Sequence, residues 1–232
     1  MIEIGGLQKL TLIDYPGRVA ATVFLIGCNF RCPFCYSGEL VLPERIKKQP
    51  RISEKDYFDF LKERKELLEG VVICGGEPTI HKELPDFCKK IKDLGFLVKL
   101  DTNGSNPKML EKLIDEKLIN YVAMDLKAPK TKYSQAAGVE VDTKKIQKSI
   151  DILKEEKIDY EFRSTIVPTI HAKEDVIKMA KWIKGAKKYY LQNFRPEKTI
   201  NPKFEKIKSY PQEFLVSIQK VISPFFEVCQ IR

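Results

Sequence analysis

The chain has 232 residues, 43% of them hydrophobic and 31% charged, enough apolar material for an ordinary buried core. Lys and Arg outnumber Asp and Glu by 41 to 32, a formal charge of +9, but the excess is spread along amphipathic segments and nowhere interleaved with aromatics, which argues against a nucleic-acid partner. No apolar run reaches the roughly 18–20 residues of a membrane span, and Met1–Gly6 does not read as a signal peptide, so no membrane partner is expected and the cytoplasm is the expected location.

In chain order, Ile2–Arg18 reads as an added hairpin or lead-in that turns at Asp14-Tyr15-Pro16-Gly17. From residue 19 onward, short apolar runs alternate with longer amphipathic ones. The strand-like runs are Ala20–Ile26, Val71–Cys74, Leu97–Leu100, Tyr121–Met124, Tyr160–Val167 and Tyr189–Leu191, rich in β-branched and aromatic residues. Helical patterns cover Ser53–Leu68, with Ser53 as N-cap, and Lys82–Leu94, stopped by Gly95. Others cover Pro107–Lys117, Thr143–Glu156, Lys173–Lys184 and Pro211–Ile222. Such alternation implies a parallel sheet with right-handed crossovers. About six β/α units are too few for a closed eightfold barrel, so the expected fold is α/β, an open partial β/α barrel forming one domain over 1–232.

Polar, glycine-rich segments follow each predicted strand: Gly27-Cys28, Gly75-Gly76-Glu77-Pro78, Asp101-Thr102-Asn103-Gly104, Asp125-Leu126-Lys127, Pro168-Thr169 and Gln192-Asn193-Phe194-Arg195. In a parallel sheet these ends share one edge, where active sites collect. Singly each segment is ordinary turn chemistry; six in succession at one mouth are not explained by packing.

Six cysteines are present, and three of them, Cys28, Cys32 and Cys35, fall within eight residues. That density argues for metal rather than disulfides. A loop with three and two intervening residues can supply three thiolates to a cubane and leave one iron open. A lone zinc ion is the rival, but the only histidines, His81 and His171, lie far from the cysteines in sequence. Cys74, Cys88 and Cys229 each sit in an apolar segment and read as structural thiols. Arg163 either points to the mouth or is an outward charge on its strand.

The CxxxCxxC spacing with Phe34 before the last cysteine, followed by Gly75-Gly76-Glu77-Pro78 after the next strand, resembles the radical S-adenosylmethionine (SAM) superfamily. The resemblance implies one [4Fe–4S] cluster on Cys28, Cys32 and Cys35, with SAM bound at the open iron. It implies Gly75 and Gly76 close to the cofactor, Glu77 accepting from the SAM ammonium, and Phe34 and Val167 against adenine. Asp101 and Asn103 would bond the ribose, or Asp101 and Asp125 would hold a monovalent cation; Arg163 would pair with the SAM carboxylate. The implied chemistry is reductive cleavage of SAM to a 5′-deoxyadenosyl radical, with no catalytic side chain beyond cluster and SAM.

Within that superfamily, Asp14-Tyr15-Pro16-Gly17-Arg18 and Cys35-Tyr36-Ser37-Gly38-Glu39-Leu40-Val41 resemble glycyl-radical-enzyme activating proteins, most closely those of anaerobic ribonucleoside-triphosphate reductase. Pyruvate formate-lyase activators are similar but commonly carry His-Asn where this chain has Tyr36-Ser37. The implied partners are a glycyl radical enzyme and reduced flavodoxin or ferredoxin as electron donor. Ser37–Val72 contains no cysteine, so no auxiliary cluster is expected. The alternatives are a radical SAM enzyme acting on a small molecule and a non-catalytic metal-bearing module.

Overall fold

The computed structural model describes residues 2–232. One sheet runs through them in sequence order. β1 (Ile4–Thr11) pairs antiparallel with β2 (Ala20–Leu25). The rest are parallel: β3 (Gly70–Gly75), β4 (Leu97–Thr102), β5 (Tyr121–Asp125), β6 (Asp159–Ile166), β7 (Lys188–Asn193) and β8 (Val228–Ile231). β1 and β8 do not pair with each other, so the barrel is open on that side. The six expected strands are present within two residues, and β8 adds a parallel strand that the sequence pattern did not reveal.

The helices Glu54–Glu63, Leu84–Asp93, Pro107–Asp115, Thr143–Lys154, Lys173–Trp182 and Gln212–Ile222 lie outside the sheet and bury their apolar faces against it. Their starts follow local chemistry. Ser53 accepts from the Asp56 amide, Asn106 from Met109 and Asp142 from Lys144, each satisfying an orphan donor of a first turn. Between β2 and the first of these, two short helices, Gly38–Val41 and Pro43–Ile46, carry the chain away from the cysteine loop.

β1 and β2 are joined by a turn at residues 14–18. The Arg18 amide closes onto the Tyr15 carbonyl at 3.2 Å, and Gly17 takes φ +70° in the turn. Tyr15 folds inward and packs, with Ala20, Val72 and Tyr121, into a small apolar cluster separate from the main core. Beside it the interior turns charged: buried Glu161 accepts from Tyr121 Oη at 3.0 Å and pairs with Arg232, whose guanidinium lies 3.4 Å over the Tyr190 ring.

Candidate cofactor cavity at the strand ends

The C-terminal ends of β2–β6 surround a cavity of about 200 Å³. Cys28, Cys32 and Cys35 line it together with Phe34, Gly75, Gly76, Glu77, Asp101, Asn103, Asp125 and Arg163, so every sequence-predicted site residue except Val167 reaches one space. Val167 is fully buried; its amide donates to His171 Nδ1 at 2.9 Å, and Thr165 faces the cavity instead.

The cysteine loop is held by segments far away in sequence. The Arg31 amide donates to Ala137 O at 2.7 Å, Ile200 N to Cys35 O at 2.9 Å and Asn201 N to Pro33 O at 3.0 Å. Gly138, with φ +69°, lets the chain pass: a Cβ there would lie 2.1 Å from Arg31 O. Tyr36 stacks on Phe194 and accepts from the Arg195 amide at 2.6 Å. Burial pushes the Cys28 thiol up to about 12 and Cys32 up to about 11, and raises Cys35. The Phe30 amide nevertheless points a donor at Cys28 Sγ, 3.3 Å away.

Gly75 and Gly76 are required by chain packing at this edge. A Cβ on Gly75 would meet Leu25 N at 2.3 Å, and one on Gly76 would meet Gly27 O at 1.9 Å. The glycines thus let the β3 end lie against the start of the cysteine loop, where Glu77 N donates to Gly27 O at 2.8 Å. Glu77 is 1% exposed. Its Oε1 accepts from Thr79 N and Oγ1 (3.1 and 2.5 Å) and from Thr102 Oγ1 (2.7 Å), while Oε2 accepts only from Asn103 N (2.6 Å). Burial raises its pKa and these bonds oppose the rise. One lone-pair direction on Oε2 is left for a ligand donor. Asn103 is committed to Asn29 Oδ1 at 3.0 Å and to the Ser105 amide at 2.9 Å.

The opposite wall is ionic. Lys99 binds Asp101; Arg163 bridges Asp101 (2.9 Å) and Asp125 (3.0 Å); Lys127 binds Asp125 at 3.1 Å. On this wall three cations, Lys99, Arg163 and Lys127, face two carboxylates, with the Glu77 carboxyl on the other side of the cavity. Arg163 therefore faces inward, and its guanidinium stands where a cation shared by Asp101 and Asp125 was expected. Despite burial, Arg163 and Lys127 hold the Asp125 carboxyl down at about 2, and the carboxylates hold both cations above their usual range. His171 ties the network to the backbone: Nδ1 accepts from Val167 N, which leaves the proton on Nε2 for Lys127 O at 2.8 Å. Burial lowers its pKa to about 4.

Lys99, Thr102, Lys127 and Thr165 were missed as site residues. Lys99 and Asp101 are two apart on β4, and that period alone aims both at the same side. Cys74, read as structural, also lines the cavity.

Among the described residues, no three His, Cys, Asp or Glu side chains come close enough together to hold a single metal ion.

The chain matches the Radical SAM superfamily over residues 22–183 and belongs to it; it is a radical SAM enzyme. A Methanocaldococcus jannaschii protein bearing the provisional name glycyl-radical enzyme activating enzyme is 34% identical over 99% of this chain and 95% of its own length. A second protein of that organism, named the same way, is 26% identical over 92% of this chain and 84% of its own. Among solved structures, Streptococcus suis SuiB bound to S-adenosylmethionine superposes with a TM-score of 0.64 at 18% identity, over 88% of this chain and 48% of SuiB. Escherichia coli QueE gives 0.55 at 16% identity over 100% and 94%. These two share the fold.

Proposed function

We propose that this chain is an activase. It carries one [4Fe–4S] cluster on Cys28, Cys32 and Cys35, binds SAM beside it, and takes a hydrogen atom from a glycine of a partner glycyl radical enzyme, anaerobic ribonucleoside-triphosphate reductase being the partner its sequence favours. When bound, cluster and SAM supply one-electron cleavage of the sulfonium carbon–sulfur bond, and with it a carbon radical able to abstract hydrogen.

The chain's own residues would do the rest. Three thiols facing one cavity, with an amide aimed at Cys28 Sγ, suit a cluster with three protein ligands. Phe34, 5% exposed, offers an apolar wall for adenine. The free direction on Glu77 Oε2 suits an ammonium, and the positive charge at Lys127 and Arg163 suits a carboxylate. Asp101 and Asn103 line the cavity, and a ribose hydroxyl would share the bonds they already make to Lys99, Arg163, Asn29 and Ser105.

The observation that carries the activase reading is a second, larger space on the barrel's open side. A groove of about 1080 Å³ runs between Ile13, Asp14 and Pro16 of the hairpin arm and Gln192–Lys198 with Arg232. It meets the cofactor cavity at Tyr36, Arg163 and Thr165, which line both. A side entrance suits a peptide loop better than a small enclosed molecule. Exposed Ile13 lines it, and exposed Leu10 and Leu12 lie on the same arm, where a protein surface would cover them.

The test is anaerobic. The protein is reconstituted with iron and sulfide, reduced, and mixed with SAM and the reductase, with Cys32→Ala as control. A glycyl-radical EPR signal with the unmutated protein alone is expected. Formation of 5′-deoxyadenosine without that signal would keep the superfamily chemistry and reject the partner.

A further inference from the structure

Away from the cavity, a recess of about 400 Å³ is lined by Pro129, Lys130, Thr131, Lys178, Lys181 and Trp182. Its three lysines are exposed, and no carboxylate lines it. The nearby Asp175 is buried and already bound to Lys132 at 2.7 Å. Trp182 forms the recess wall: Lys130 Nζ sits 4.9 Å from its ring centroid, and its indole N–H donates to Gln147 at 2.7 Å, which fixes the ring.

Behind Trp182 lies Tyr133, fully buried, edge-to-face with it at 5.9 Å between centroids. Tyr133 opens the helix Tyr133–Ala137, whose last residue accepts the Arg31 amide and so bonds directly to the cysteine loop. Arg31 immediately precedes Cys32, so the helix is joined by one hydrogen bond to the neighbour of that cysteine. Two packed aromatic rings and one hydrogen-bonded helical turn thus lead from a basic surface recess to the cysteine loop.

We infer that this recess docks an acidic one-electron carrier protein, which delivers its electron through Trp182 and Tyr133 to the Cys32 side of the cluster. The inference rests on the cluster assigned above. The carrier loses one electron and the cluster gains it, with no proton or bond change required. The rim lysines, Lys130 bonded only to the neutral Gln147 and the Trp182 ring, keep their charge uncompensated by any lining carboxylate; they attract a carrier of opposite charge and orient it, and tunnelling favours packed aromatic matter over a solvent gap. The electron would enter from outside the barrel, leaving the lateral groove clear for the protein substrate.

Trp182 is the only tryptophan of the chain, so docking has its own reporter. A tryptophan-free acidic ferredoxin is titrated into the protein, and Trp182 emission is followed, first without and then with the cluster. Quenching that weakens as salt rises is expected, and its loss in the Lys178→Glu/Lys181→Glu double variant. In the reconstituted protein, reduction by the reduced ferredoxin should slow at least about tenfold in the double variant, while reduction by dithionite stays unchanged. Equal quenching and equal reduction rates in the two proteins would overturn the docking site. Failure of the cluster to assemble would sink the assignment it rests on, and the cluster-free titration tells these two failures apart.

Discussion

The two walls of the cavity are held by different forces. The cysteine wall is neutral and strapped by backbone hydrogen bonds from residues 137, 200 and 201. The wall built from β4, β5 and β6 is a run of alternating charges, Lys99–Asp101–Arg163–Asp125–Lys127, with hardly any solvent at its centre. The first wall tolerates loss of a side chain, because its shape is set by the main chain. The second does not, because each ion is kept by its neighbours.

The largest way to break that contrast is Arg163→Leu. It removes the cation between Asp101 and Asp125, leaving Asp101 to Lys99 and Asp125 to Lys127, and urea unfolding of the cluster-free protein should show a loss of about 3 kcal/mol. A comparable loss from Cys35→Ser, which touches only the neutral wall, would erase the distinction.

Acid probes the same wall through His171. Its folded pKa, about 4, lies below the unfolded value near 6.5. The unfolded chain therefore binds the extra proton first, so stability is full above about pH 6.5 and falls as pH drops toward 4, by roughly 3 kcal/mol. In His171→Gln this part of the slope should vanish; a retained slope would place its origin elsewhere.

Gly138→Ala sharpens the comparison from the other side. The new methyl collides with Arg31 O, at an expected destabilisation of about 1–3 kcal/mol. The larger consequence should be poor iron retention on reconstitution, measured as iron per chain, with the ionic wall untouched.

The same division explains what was legible in the sequence. Cys28–Cys35 and Gly75–Glu77 are contiguous, so their spacing announces them. The six helices show their 3.6-residue period, and the first of them its cap at Ser53, whereas the caps at Asn106 and Asp142 came only with the structure. The ionic chain is assembled from three strands, one or two residues from each, and its members become neighbours only in the sheet. Val167 illustrates the reverse error: it is one residue beyond β6, where the chain has turned, so strand alternation no longer predicts its direction. β8 escaped because four residues, Val228–Ile231, are too few to display a period. Glu77 was recognised as a site residue, but its service to Thr79, Thr102 and Asn103 follows from a fold-back that spacing does not encode.

The straps on the cysteine loop also set a schedule. Three thiols near the start of the chain acquire their final cage only when residues 137, 200 and 201 have been made and have folded back across more than a hundred positions. On the cluster assignment proposed above, metal insertion into the finished cage would be a late event in the protein's biogenesis. A nascent chain stalled before residue 200 would present the cysteines on a loose tether, open to oxidation and to the wrong metal.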